Sequence, residues 1–162
     1  MADILKFLIV ENNLIEAEQI KQRLLRQGYL VTEVVSTGEN ALEAVSRELP
    51  SIVIMDIELD GEWDGVETAR RIYQFWQLPI IYLTVRSDES DYHRAKYNIA
   101  AEYLQKPFSL VNLLNSIDHI VKEMGKTLPL VGKNLYVKRS KKGYYVLPFD
   151  DIIFFFYDCW TT

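Results

Sequence analysis

Cysteine is nearly missing from this chain of 162 residues: Cys159 stands alone, so no internal disulfide can form and a reducing compartment is the expected setting. Its thiol reads as a small apolar side chain. Histidine is almost as scarce. His93 and His119 have no ligand partner at metal-binding spacing and read as surface or packing residues. No apolar run approaches the ~20 residues that a bilayer span requires. Met1-Ala2-Asp3 lacks the basic start and cleavage site of a secretory signal. A cytoplasmic location with no membrane partner is the default expectation. Positive charge is short too, with 18 Lys+Arg against 23 Asp+Glu and a net charge of −5. The deficit sits in the body: residues through Glu123 carry 12 Lys+Arg against 20 Asp+Glu, those from Gly125 onward 6 against 3. An acidic body is a poor nucleic-acid surface and a basic tail a better one, although an imbalance of this size is also ordinary solubility.

What the chain does have is alternation. Hydrophobic residues make up 49% and charged residues 25%, the profile of a globular protein. Phe7-Leu8-Ile9-Val10 reads as a buried strand, followed by Leu14, Ala17, Ile20, Leu24 and Leu25 at helical spacing. Leu30 to Val35 is a second strand, and Thr37 caps a helix that carries Ala41, Leu42, Val45 and Leu49. Ile52 to Met55 is a third strand, with Val66, Ala69, Ile72, Tyr73 and Trp76 on the next helix. Ile80 to Leu83 makes a fourth, then a short helix over Ser90 to Asn98 precedes a strand around Glu102 to Gln105. Ser109 caps a last helix with the stripe Leu110, Leu113, Leu114, Ile117, Val121 and Met124. Apolar strands separated by amphipathic helices require a parallel sheet covered on both faces. The expectation is a doubly wound, three-layer α/β domain over residues 1–124, its five parallel strands in the flavodoxin-like order 2-1-3-4-5. Residues 125–134 read as a linker containing Pro129 and Gly132. Residues 135–162 read as a β extension, in which Leu135 to Val137 and Tyr144 to Leu147 flank a basic turn and Ile152 to Tyr157 form an apolar strand.

In such a fold the ligand crevice lies at the carboxyl ends of the strands. There the sequence places Glu11, Asn12 and Asn13 after the first strand, Asp56 after the third, Thr84 after the fourth and Lys106-Pro107-Phe108 after the fifth. Glu11, Asp56, Thr84 and Lys106 are therefore expected to converge. The pocket suits phosphoryl transfer to a carboxylate, with Asp56 attacking phosphorus in line. Mg²⁺ fits between two carboxylates and an incoming phosphoryl group, because it takes hard oxygens and keeps several waters. Lys106 supplies a second cation and Thr84 a hydroxyl donor. No general base for turnover is visible, so the chain reads as a phosphoacceptor switch and not as an enzyme. The bland readings stand beside these. Glu58, Asp60, Glu62 and Asp64 read as a solvated loop with Asp64-Gly65 as a turn, and only the Glu58 backbone carbonyl as a metal ligand. Asn12 and Asn13 also read as helix caps, Tyr103 as a half-buried strand aromatic, and Trp63 as an exposed loop residue.

Phe7-Leu-Ile-Val-Glu-Asn, Ile54-Met-Asp56-Ile, Tyr82-Leu-Thr84 and Tyr103-Leu-Gln-Lys106-Pro-Phe, in this order, resemble the receiver domain of bacterial two-component response regulators. The resemblance covers residues 5 to 124. It implies that Asp56 is the phosphoacceptor, fed by a sensor histidine kinase, with Thr84 and Lys106 coordinating the phosphoryl group. It also implies that Tyr103 is the switch aromatic, that the Lys106-Pro107 peptide is cis, and that the chain homodimerises on its fourth helix, fifth strand and fifth helix. Three positions depart from the pattern. Asn12 replaces the second acid after the first strand, so Mg²⁺ is expected to bind more weakly through Glu11, Asp56 and the Glu58 carbonyl. Val85 is bulkier than the usual residue after the switch threonine. Glu58 and Arg86 are spaced to pair over the phosphoryl group.

The tail, Leu135-Tyr-Val-Lys-Arg and Tyr144-Tyr-Val-Leu-Pro-Phe-Asp-Asp-Ile-Ile-Phe, resembles the opening strands of a LytTR DNA-binding domain. That implies DNA contact only through a domain incomplete in this chain. The leading expectation is a response regulator that controls transcription. The alternative is a pseudo-receiver that works as a protein-interaction module without phosphate, kept open by Asn12 and Val85. A flavin carrier or an aspartate-nucleophile phosphatase fits poorly, because acidic Glu11 stands where either would need a different loop.

Overall fold

Strands with no polar side chain on either face must be covered from both sides. Residues 7–10 and 52–55 meet that condition, every one of them being buried. The computed structural model describes residues 3–85 and 101–126, with the backbone of Asn134–Lys138 and Tyr144–Pro148. The helix expected over Ser90 to Asn98, Arg86, His93, Cys159 and the apolar run to Tyr157 all lie outside the described residues.

In chain order the elements are β1 (Asp3–Ile4), β2 (Lys6–Val10), α1 (Leu14–Arg26), β3 (Leu30–Val35), α2 (Gly38–Arg47) and β4 (Ile52–Asp56). They continue with α3 (Gly65–Trp76), β5 (Ile80–Thr84), β6 (Ala101–Gln105), α4 (Leu110–Lys126), β7 (Asn134–Lys138) and β8 (Tyr144–Pro148). The main sheet is five-stranded and all parallel in the order β3-β2-β4-β5-β6. Counted from its own first strand that order is 2-1-3-4-5, a flavodoxin-like α/β fold. Register runs Leu8↔Val53, Ile9↔Ile54, Asp56↔Leu83 and Thr84↔Gln105, which brings the strand ends to one edge. β7 pairs antiparallel with β8, and β8 with the two residues of β1, making a second sheet of three strands.

Two cores sit on opposite faces. Ala17, Ile20 and Leu24 of α1 meet Leu113, Ile117, Ile120 and Val121 of α4 over Phe7, Ile9, Ile54 and Ile81. Ala41, Ala44 and Val45 of α2 meet Val66, Ala69 and Ile72 of α3 over Leu8, Val53, Met55 and Tyr82. Each helix starts on a polar cap that takes an orphan backbone N–H: Asn13, Thr37, Asp64 and Ser109 accept from Glu16, Asn40, Glu67 and Asn112.

Four expectations need correcting. Leu14, placed by helical spacing on the core face, is 75% exposed, because the buried stripe of α1 begins a turn later, at Ala17, Ile20 and Leu24. Asn13 caps α1 but Asn12 does not; its Nδ2 donates to Asp60 Oδ2 at 3.1 Å. Asp64-Gly65 is not a free turn but the start of α3, with Asp64 as its cap. Trp63 is half-buried, with the Arg71 guanidinium 4.0 Å from its ring centroid.

Candidate functional site

The strand ends gather one cation and two carboxylates, and α1 adds a third acid. Lys106 Nζ donates to Asp56 Oδ2 at 2.8 Å and to Glu11 Oε2 at 2.7 Å, across 50 and 95 residues of sequence. Glu11 is fully buried, Asp56 nearly so, and the Lys106 side chain only 13% exposed. Burial pushes the Glu11 carboxyl up, against the Lys106 hydrogen bond and the Asn13 N–H that pull it down. Burial also opposes the charge on Lys106. Its hydrogen bonds to Asp56, Glu11 and Glu16 outweigh that and hold its pKa above the ordinary lysine value.

Backbone contacts fix the acceptor. Asp56 Oδ1 accepts from the Glu58 N–H at 3.0 Å, so the loop after β4 turns back over the carboxylate. Gly65 makes that turn possible: its N–H bonds the Ile57 carbonyl at 2.9 Å, and a Cβ there would stand 1.8 Å from the Asp56 carbonyl oxygen. The sequence marked Gly65 as a turn residue, whereas close approach of α3 to the acceptor strand is what requires it. Thr84 ends β5 one residue beyond Leu83, the register partner of Asp56, and its carbonyl accepts the Lys106 N–H at 2.7 Å. Tyr103 is half-buried and stacks on its register partner Tyr82, ring centroids 5.2 Å apart. That puts it on the sheet face that also carries Thr84, two residues along β5 from Tyr82. The Lys106–Pro107 peptide is cis.

The loop that bears Lys106 is tied to α1. Arg23 donates to the Phe108 carbonyl at 3.1 Å and its guanidinium lies 5.6 Å from the Phe108 ring centroid. Between α1 and this loop runs a groove of about 400 Å³, lined by Glu16, Arg23, Val85, Lys106 and Phe108 among others. Val85 is 58% exposed there. The Glu58 side chain is exposed, and its expected partner Arg86 lies outside the described residues. His119 is not an isolated surface residue: its Nδ1 pairs with Glu102.

The response regulator receiver domain family matches residues 7–118. The chain belongs to that family. As a receiver it is similar to the transcriptional regulatory protein PdtaR of Mycobacterium tuberculosis, 29% identical over 128 residues, covering 79% of this chain and 62% of PdtaR. It is 38% identical over 106 residues to the KDP operon transcriptional regulatory protein KdpE of Escherichia coli, covering 62% of this chain and 46% of KdpE. The chain thus spans less than two thirds of the length of these regulators. Among solved structures it resembles the signal receiver domain of a modulated diguanylate cyclase from Desulfovibrio desulfuricans G20, with TM-score 0.68 and 36% identity over 75% of this chain and 98% of that one. It also resembles the receiver domain of the sensor histidine kinase PA1611 from Pseudomonas aeruginosa PAO1, solved with magnesium in its active-site cleft. There the TM-score is 0.63 and the identity 27%, over 72% of this chain and 98% of that one.

The donor set of this receiver fits a hard cation. Glu11 and Asp56 offer carboxylate oxygens at one strand edge. Asn12, its nitrogen committed to Asp60, keeps an amide oxygen to offer. No group of three or more acidic, histidine or cysteine side chains gathers as a metal cage among the described residues. A two-carboxylate site suits Mg²⁺, which retains water, better than Zn²⁺ or Ca²⁺. Sequence reading missed Glu16, whose Oε2 lies 2.8 Å from Lys106 Nζ. The spacing Asn13-x-x-Glu16 is a capping-box pattern that would have tied it to the cap, but nothing local in sequence aims it at Lys106.

Proposed function

We propose that the chain is the receiver portion of a response regulator that takes a phosphoryl group on Asp56 from a sensor histidine kinase. The observation that carries this reading is the Lys106 ammonium held between the buried carboxylates of Asp56 and Glu11 at the strand edge. Asp56 attacks phosphorus, and Lys106 neutralises charge on a phosphoryl oxygen. Thr84 donates its hydroxyl to another oxygen, and Tyr103 follows Thr84 to carry the change toward α4. Glu11, Asp56, the Glu58 carbonyl and the Asn12 amide oxygen would hold Mg²⁺, which would supply charge neutralisation between the carboxylates and the phosphoryl group. The PA1611 receiver with its magnesium supports that choice of ion. The product is a lasting mark of roughly −1.5 to −2 charges, read out in homodimerisation and transcription. The likeness to PdtaR and KdpE supports the transcriptional output. Residues 1–124 form the receiver in this reading, 125–134 a linker, and 135–162 the start of a LytTR-type DNA-binding domain, the last resting on sequence resemblance.

A second reading, a pseudo-receiver acting by protein contact alone, is favoured by the neutral Asn12, engaged with Asp60. One experiment separates the two. Incubation with acetyl phosphate and Mg²⁺ is expected to add one phosphoryl group by intact mass, and Asp56→Asn to abolish it. An unmodified wild-type chain would reject the first reading in favour of the second.

A further inference from the structure

Three carboxylates crowd the Lys106 ammonium: it donates to Glu11 at 2.7 Å and to Asp56 at 2.8 Å, and Glu16 Oε2 pairs with it at 2.8 Å. We propose that Glu16, juxtaposed to Lys106 across the start of α1, is a positioning residue that holds the lysine in its resting place and restrains phosphorylation of Asp56. The inference rests on the phosphoacceptor reading above.

Glu16 is itself held. Asn13 Nδ2 donates to Glu16 Oε1 at 3.0 Å while Asn13 Oδ1 accepts the Glu16 N–H at 3.3 Å. This reciprocal pair fixes the carboxylate and leaves Oε2 for Lys106. Arg23, two turns further along α1, grips the Phe108 carbonyl, so α1 and the loop that bears Lys106 are fastened at two points. The charge balance is then unfavourable to an incoming phosphate, since three carboxylates surround one ammonium. Burial supports the same division of labour. Glu11 is fully buried and the Asp56 side chain only 7% exposed, whereas Glu16 is 41% exposed.

During transfer one Asp56 carboxylate oxygen bonds to phosphorus as the donor's bond to phosphorus breaks, from the imidazole nitrogen of a phosphohistidine or the acetate oxygen of acetyl phosphate, and the bonding pair departs with that leaving group. Lys106 must give up one acceptor to reach a phosphoryl oxygen. Glu11 and Asp56 have further parts in the reaction. Glu16 has none, and water can replace the lysine at its exposed oxygen. Glu16 is therefore the contact that yields, and the reaction must break it each time.

The test compares wild-type chain with Glu16→Gln, using acetyl phosphate and Mg²⁺ and following intact mass against time. Glutamine keeps an acceptor oxygen for Asn13 Nδ2 and replaces the oxygen facing Lys106 with an uncharged NH2 donor that cannot hold the ammonium, so a helix-capping role predicts no change in rate. Release of Lys106 predicts that Glu16→Gln is phosphorylated about three- to tenfold faster, with an unchanged thermal midpoint. Asn13→Ala should also speed the reaction while lowering the midpoint, and Asn13→Ala with Glu16→Gln should be no faster than Glu16→Gln alone. Multiplying effects in the double variant would overturn the tether through Asn13. A labelled wild type with Glu16→Gln equal or slower overturns this inference alone. No label on either protein overturns the phosphoacceptor reading, and this inference falls with it.

Discussion

Lys106 serves three acids with one ammonium, and at the residue scale that imbalance governs the site. Removing the cation leaves Glu11 and Asp56 buried beside each other with like charge. Breaking a buried ion pair on one side typically costs about 3 kcal/mol or more. Lys106→Met is therefore expected to lower unfolding free energy by about that amount near neutral pH without Mg²⁺. Glu11 sets the pH dependence. Its folded pKa is already raised by burial, and loss of Lys106 raises it further. A group raised on folding favours the native state below its unfolded value and loses that advantage as pH climbs through the folded value. The penalty of Lys106→Met should therefore shrink toward pH 5 and grow toward pH 8, and added Mg²⁺ should recover part of it. Urea titrations at two pH values, with and without Mg²⁺, measure all three. A penalty independent of pH and Mg²⁺ would mean that the carboxylates do not carry the strain. The sequence made this trio legible because each member stands just past an apolar strand, where the crevice rule looks first. It hid Glu16, since a helix-surface glutamate resembles any solvated charge until α1 is placed over the β6–α4 loop.

The elements tell the same story with different gaps. All four described helices start at residues with cap chemistry, and the three central strands of the parallel sheet follow from runs too apolar to face water. Both signals are local, so the order of elements could be read from the chain. Ends were harder. Gly28, at φ 85°, closes the turn after α1 where a left-handed residue is wanted. After α3 the same job falls to Gln77, at φ 53° and ψ 34°, whose N–H bonds the Tyr73 carbonyl at 2.9 Å. No sequence rule selects glutamine for that conformation, and the stop signal lay two residues on, at Pro79. A side chain in the left-handed region costs about 1–2 kcal/mol, which glycine escapes at an entropic cost of roughly 0.5–1 kcal/mol. Gln77→Gly should thus stabilise the domain by about 0.5–1 kcal/mol, read as a higher urea midpoint with an unchanged slope. An unaltered or lower midpoint would show that the glutamine side chain makes up the difference through contacts of its own.

At the scale of the whole molecule the chain divides by charge and by connection. Acidic residues dominate up to Glu123 and basic ones beyond Gly125, and the family match ends at residue 118. The parallel sheet and both cores lie between Leu5 and Met124. β7 and β8 meet the rest at α4, which β7 touches, and at β1, whose ladder to β8 holds the pairs Asp3↔Val146 and Ile4↔Tyr145. Backbone hydrogen bonds contribute about 1 kcal/mol each net of water, so a ladder this short is worth at most about 2 kcal/mol. A chain ended after Lys126 should therefore unfold in one cooperative transition, lose about that amount, and still take the phosphoryl group on Asp56. Equilibrium unfolding followed by circular dichroism and by tryptophan emission tests this, since Trp63 and Trp76 report on α3 and the acceptor loop while Trp160 is removed. A loss well above 2 kcal/mol, or probes that no longer coincide, would mean that the antiparallel strands are part of the receiver's own core. Their coupling to Asp56 would then run through β1 into β2, the strand that leads into Glu11.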